Sequence, residues 1–345
     1  MKSIIVLSLL TSVLILSSFA QQNLTTPQVS PAATISQTIG LTNIEVSYHR
    51  PAVNGREVWG GLVPLDQVWR AGANQNTTIS FSTDVAVEGQ SIPAGKYGLH
   101  MIPAKENWTV ILSNDNAAWG SFFYNKENDQ ARFSVKPVQN DFEEWLSYSF
   151  DQVSPNSTTL NLNWENLSIP IKIVVDVNKT VIENMKRELT GVPGFFWQGW
   201  NQIATYALTN DYQIEEALAW VDRSIGINKN LSNLMTQSLI LQSLGKTQES
   251  TKIRDEAFAL PNIDEAQINN LGYQLIGMDK LDEAISVFEK NTKDHPESWN
   301  AWDSLAEGYL TKGDKEKSKQ LYEKALVMAP ENQKDRIKGI IKNIK

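Results

Sequence analysis

The stretch that decides the fold is Leu271-Gly272-Tyr273-Gln274-Leu275-Ile276-Gly277-Met278-Asp279-Lys280-Leu281-Asp282-Glu283-Ala284-Ile285-Ser286-Val287-Phe288, closed by Pro296. It returns 34 residues later as Leu305-Ala306 through Ser318, Tyr322 and Ala325, closed by Pro330. Working outward, Leu241, Leu275 and Tyr309 keep the 34-residue interval, as do Gly245, Asp279 and Gly313. Ser250, Ala284 and Ser318 follow it, and so do Ala257, Asn291 and Ala325. Pro261 falls one residue early, and an earlier unit with Ala217 and Ser224 fits at an offset of 33. Small residues at fixed places let two helices approach closely, and the large ones fill the gaps between neighbouring pairs. The period therefore predicts stacked helix pairs, each burying its apolar face only against the next.

This pattern resembles the tetratricopeptide repeat, which implies an α-solenoid over residues 199–345 with a C-terminal capping helix. The first helix of each pair lines a concave face. Registering the repeats places Asn269, Tyr273 and Ile276 there in one unit and Asn300, Asp303 and Glu307 in the next. Asn offers a donor and an acceptor to a peptide backbone, while Asp303 and Glu307 favour a basic segment. A protein or peptide partner in the groove is the expectation. The alternative is a groove filled from within, by the β half or by the last helix, Asp335–Ile344, whose Ile337, Ile340, Ile341 and Ile344 suit a cap. Trp220, Leu241, Met278 and Trp299 read as core. Ahead of the repeats, residues 178–198 read as a helical linker, with Val181–Leu189 helical and Gly191-Val192-Pro193-Gly194 ending the helix.

Upstream, over residues 29–177, the period is two. Ile44, Val46 and Tyr48 alternate with Asn43, Glu45 and Ser47, and Leu160, Leu162 and Trp164 with Thr159, Asn161 and Asn163. Short runs of this kind are separated by turn signals such as Glu88-Gly89-Gln90 and Pro93-Ala94-Gly95, with no helix between them. Many short strands, each with one apolar face, predict an all-β antiparallel sandwich.

The 345 residues hold no cysteine, which excludes disulfides, thiolate metal sites, cysteine nucleophiles and a lipoprotein-type anchor. Net charge is −8. It divides evenly, with 11 basic and 15 acidic residues before Thr180 and 20 and 24 after it, so each half carries −4. Neither half offers the basic surface that nucleic acid or anionic lipid needs. Met1-Lys2, the apolar run Ile4–Phe19 and the small-x-small end Ser18-Phe19-Ala20 read as a signal peptide over residues 1–20. A periplasmic or extracellular protein, with no stable membrane insertion after cleavage, is the expectation.

Tyr48-His49-Arg50-Pro51, Gly55-Arg56-Glu57-Val58-Trp59-Gly60, Val68-Trp69-Arg70-Ala71-Gly72-Ala73-Asn74, Pro93-Ala94-Gly95-Lys96-Tyr97 and Trp119-Gly120 together resemble the bacterial domain-of-unknown-function family 2911. The resemblance spans most of the β half. It implies an envelope setting and assigns no reaction; His49 departs from it, standing where a small hydroxyl residue is expected.

Read on their own, Arg50, Arg56 and Arg70 stand in Gly/Pro-rich loops beside Tyr48, Trp59 and Trp69. Guanidinium groups next to aromatic faces bind carboxylates or stack on sugars. Arg50, Arg56, Trp59, Trp69, Arg70, Asn74 and His100 are therefore the candidate ligand-binding set, for a carboxylated or glycan ligand. Against this, the tryptophans would also serve to plug the sandwich while the arginines satisfy loop carbonyls. His49, His100 and His295 are the only histidines. Even with Glu57, Asp129 or Glu144 they lack regular metal-ligand spacing, and no metal or cofactor is expected. No nucleophile elbow, phosphate loop or dinucleotide fingerprint occurs. The leading reading is a non-enzymatic envelope adaptor; the alternative is a hydrolase-type enzyme acting on envelope glycan or peptide through the β loops.

Overall fold

The computed structural model describes residues 26–261 and 263–344. The signal-peptide reading of residues 1–20 lies outside the described residues. Two compact units emerge, one holding Asn43–Val153 and Ser157–Ile173, the other Val174–Lys345.

In the first unit the alternation becomes strands β1 (Ala32–Ile39), β2 (Thr42–His49), β3 (Thr78–Phe81), β4 (Val85–Val87), β5 (Gln90–Ile92), β6 (Gly95–Ile102), β7 (Trp108–Ser113), β8 (Asp129–Val135), β9 (Val138–Asp151) and β10 (Ser157–Val174). They form a six-stranded sheet, β1-β2-β3-β6-β7-β8, and a four-stranded sheet, β5-β4-β10-β9. Register follows the apolar face: Ile44 pairs Phe81, Ile79 pairs Tyr97, Leu99 pairs Leu112 and Val110 pairs Phe133. All of these side chains are buried.

Aromatic contacts join the two sheets. Tyr48 of β2 meets Tyr148 of β9 edge-to-face at 4.7 Å. Trp59, from a loop, stands edge-on to Trp108 of β7 at 4.8 Å and to Trp164 of β10 at 5.5 Å, and Trp69 stacks on Trp164 at 6.0 Å. Face-to-face packing of two antiparallel sheets over this core is the sandwich architecture.

In the second unit the period becomes helical: α1 (Val177–Glu188), α2 (Trp197–Thr209), α3 (Ile214–Ile227), α4 (Leu231–Ser243), α5 (Thr247–Phe258), α6 (Glu265–Gly277), α7 (Leu281–Asp294), α8 (Trp299–Lys312), α9 (Lys315–Met328) and α10 (Glu331–Asn343). Side-chain caps start several of them. Asn230 with Asn233 and Asp264 with Gln267 form reciprocal capping boxes, which satisfy amides the helix itself leaves open.

The close helix contacts fall where the 34-residue rule puts small residues. Ser238 donates to the Ser250 carbonyl at 2.8 Å, and 68 residues on Ser318 donates to the Ala306 carbonyl at 2.8 Å. Between them Gly272 lies so close to Phe288 that a Cβ would overlap the ring. The pairs α2–α3, α4–α5, α6–α7 and α8–α9 stack in series, first helix on first helix, with α10 packed on α9. This is a tetratricopeptide-like array.

Candidate functional site

Because the first helices follow one another, they build a common groove. One stretch of it is a cavity of about 610 Å³ against α2, α4 and α6, with Met185 of α1 at its side. Helix α2 contributes Gln198, Asn201, Gln202 and Thr205, α4 contributes Ser232, Met235, Thr236 and Leu239, and α6 contributes Leu271, Gln274, Leu275 and Met278. Among the described residues no Asp, Glu, Lys or Arg lines it. The surface is amide and hydroxyl over methionine and leucine, a combination that accepts backbone hydrogen bonds and adaptable apolar side chains. The Asn201 Oδ1 is buried without a partner, which leaves an acceptor unsatisfied until something donates to it.

The residues expected to line the groove from α6 and α8 lie farther along the array. Asn269 is buried, its Oδ1 unpartnered. Tyr273 donates to Glu307 at 2.8 Å and lies 3.1 Å from the Ser304 hydroxyl. Burial, reinforced by Glu307, pushes its phenol up to about 12. Ile276 packs on the core, and Asn300 donates to Glu265 at 3.0 Å. The buried Asp303 carboxylate receives both of its short bonds from Arg336 of α10. Asp303 and Glu307 thus already have donors within the chain.

The groove residues of α2 and α4 were open to the same arithmetic. Two steps of 34 back from Asn269 reach Met235 and then Asn201, and from Tyr273 they reach Leu239 and then Thr205. The first pair hid this, because its second helix is offset by 33.

In the β unit the candidate residues separate. Arg50 donates from Nε to the Leu146 carbonyl at 2.8 Å. Arg56 donates to the carbonyls of Val53 and Ala52 at 3.0 and 2.5 Å. Trp59 and Trp69 belong to the inter-sheet cluster, and the Trp69 indole donates to the Gly72 carbonyl at 3.1 Å. Asn74 donates to Gln28 and to the Ser30 carbonyl.

Arg70 and His100 meet a common loop, residues 114–125, which crosses the outer face of β6. Arg70 donates to the Asn74 carbonyl at 2.6 Å. Its guanidinium also lies flat on Gly120, where a Cβ would come within 2.7 Å of Nη1, and 5.6 Å from the Phe122 ring. Gly120 therefore has two reasons to be glycine, this close approach and a φ of +65°. His100 Nδ1 lies 3.0 Å from the Ser121 hydroxyl, and its ring meets Tyr124 edge-on. Burial pushes His100 down to about 4, against the opposing pull of Asp129 and Asp115, so the imidazole is neutral at pH 7. Tyr124, Asp129 and Arg132 close a hydrogen-bonded triangle beside it. Among the described residues no three His, Asp or Glu side chains gather closely enough to hold a metal ion.

Residues 30–173 match the family model described as a protein of unknown function, DUF2911, and residues 300–332 match a tetratricopeptide repeat model. No curated protein matches the chain. Solved structures with similarity to it include PcrH from Pseudomonas aeruginosa, at 17% identity over 33% of this chain and 90% of that one, with a TM-score of 0.25. MamA from Desulfovibrio magneticus RS-1 is similar at 17% identity over 43% of this chain and 92% of that one, with a TM-score of 0.23. YrrB, described as a TPR protein with an unusual peptide-binding site, shares 17% identity over 47% of this chain and 86% of its own, with a TM-score of 0.26.

Proposed function

We propose that the protein is an exported adaptor whose helical array binds an extended, weakly charged segment of a partner protein while the β unit recognises a second ligand. The observation that carries the reading is the uncharged groove over α2, α4 and α6, with Asn201 unpartnered among its lining residues. A groove with no ionised group selects against charged segments, because a charge moved there would lose hydration and gain no partner. Amides spaced along successive first helices suit an extended backbone, and the half-buried Met185 and Met278 adapt to apolar side chains of varied shape.

Panning a random peptide library against the full chain tests this. The proposal expects enrichment of sequences poor in Lys, Arg, Asp and Glu; enrichment of basic sequences, or none at all, would contradict it. The export part rests on the amino-terminal pattern of residues 1–20. Sequencing of the protein from the extracytoplasmic fraction should begin at Gln21, and an intact Met1 terminus in the cytoplasm would refute it.

A further inference from the structure

On the outer face of the six-stranded sheet, loop 114–118 folds over β3 and β6 and, with β1 and β2, borders an open cleft of about 410 Å³. The loop is tied down by backbone and side chain. Asn76 N–H donates to the Ala118 carbonyl at 3.2 Å, and Asn116 donates to the Lys96 carbonyl at 2.8 Å. Gly98 completes the fit, since any Cβ there would strike the Asp115 carbonyl. Small residues make the room: Ala32 and Ala33 on one wall, Ala117 and Ala118 on the other.

The chemistry of the lining is specific. Asn76 is nine-tenths buried, its amide nitrogen holds one long bond of 3.4 Å to the Asp115 carbonyl, and its Oδ1 has no partner. A buried amide oxygen left open is rare in a folded protein and marks a place for a donor. The imidazole of His49, pushed down by burial, is neutral at pH 7 and has one donor and one acceptor. Thr34 and Ser47 share a hydrogen bond of 3.0 Å at the rim. Among the described residues, Lys96 is the one permanently charged side chain in the lining, and no Asp or Glu stands there. Such a site suits a ligand rich in hydroxyls, which both donate and accept, and bearing a single negative charge. A phosphate would call for more donors of positive charge than one lysine.

We propose that this cleft binds a carboxylated monosaccharide of hexuronic-acid size, its carboxylate toward Lys96 and its hydroxyls on Asn76 and His49. The volume falls within the range of small-molecule sites, and the residues belong neither to the helical groove nor to the arginine loops. This deepens the reading that the β unit recognises a second ligand and rests on it; failure of this proposal leaves peptide binding by the helical groove standing, and the reverse also holds.

Calorimetric titration of the full chain with sodium glucuronate, glucose and sodium acetate tests it. Saturable binding of glucuronate, with glucose and acetate each weaker, is the expected result. Lys96→Gln, at an exposed position, should weaken glucuronate about tenfold, as loss of one charge-assisted hydrogen bond does. Ala118→Leu, which fills the cleft, should abolish binding while the melting temperature holds. Absence of saturable glucuronate binding overturns the proposal. So does acetate binding as tightly as glucuronate, or glucuronate binding that Ala118→Leu leaves intact.

Discussion

Arg336 of α10 donates two hydrogen bonds of 2.9 Å to the carboxylate of Asp303 on α8, 33 residues earlier. Asp303 is 6% exposed, and burial alone would raise its pKa; Arg336 opposes that rise. The capping helix thus neutralises a charge that the end of the array would otherwise bury alone. Replacing Arg336 by Met should cost about 1–2 kcal/mol, less than for a fully buried pair because the arginine is half-exposed. Asp303→Asn in the same background should recover part of the loss. Thermal melts of the single and double variants check this, and a melt of Arg336→Met equal to wild type would deny the pair its role.

The tryptophan cluster makes a second prediction. Trp164 is 1% exposed, and its indole N–H, like that of Trp59, meets no acceptor. Trp164→Ala should destabilise the protein by about 4 kcal/mol through the cavity it opens. Trp164→Phe should cost far less, because it removes an unsatisfied donor along with the lost contact area. Thermal unfolding checks this, and a loss for Trp164→Phe as large as that for Trp164→Ala would contradict it.

His100 gives the β unit a pH dependence of known sign. Its folded value of about 4 lies below the ordinary 6.5. The unfolded chain therefore binds the extra proton first as pH falls, so stability drops between about pH 6.5 and 4 and is complete above that window. The full effect is about 3 kcal/mol. Protection factors of amides in β6 and β7, corrected for the intrinsic pH dependence of exchange, should fall as pH drops across this window, and His100→Gln should flatten the response. An unchanged pH slope in that variant would assign the effect to other groups.

Much of this was legible in the sequence, for reasons that differ by region. The 34-residue interval survives because helix contact selects on size. Gly272 must be small beneath Phe288, and Ser250 and Ser318 hydrogen-bond where a larger residue would push the helices apart. The sandwich was readable from alternation, but β10 was not seen as a single strand. The alternation of Leu160, Leu162 and Trp164 breaks at Glu165, in the middle of the strand, where a φ of +54° sits at register shifts that alternation does not announce. The partners of Arg50 and Arg56 are main-chain carbonyls, which carry no residue identity. The cleft at Asn76 was invisible because loop 114–118 and β1 approach it from distant parts of the chain.

Glycines in the helices separate packing from propensity. Gly272→Ala should destabilise by about 1–3 kcal/mol, because its methyl meets the Phe288 ring. Gly226→Ala in α3 meets nothing within 4 Å, and should stabilise by up to about 1 kcal/mol. Opposite signs in thermal melts are expected; two stabilised variants would mean that α6 and α7 stand farther apart than the structure places them.

The most direct measurement is the affinity of a panned peptide for three forms of the full chain. Gln274→Glu puts a charge on the exposed α6 wall of the groove, whereas Glu307→Gln alters a residue of α8 whose carboxylate already receives a bond from Tyr273. The account predicts that Gln274→Glu weakens binding about tenfold, because the bound segment would cover a charge it cannot pair, and that Glu307→Gln leaves it unchanged. Binding that survives Gln274→Glu and falls with Glu307→Gln would contradict it.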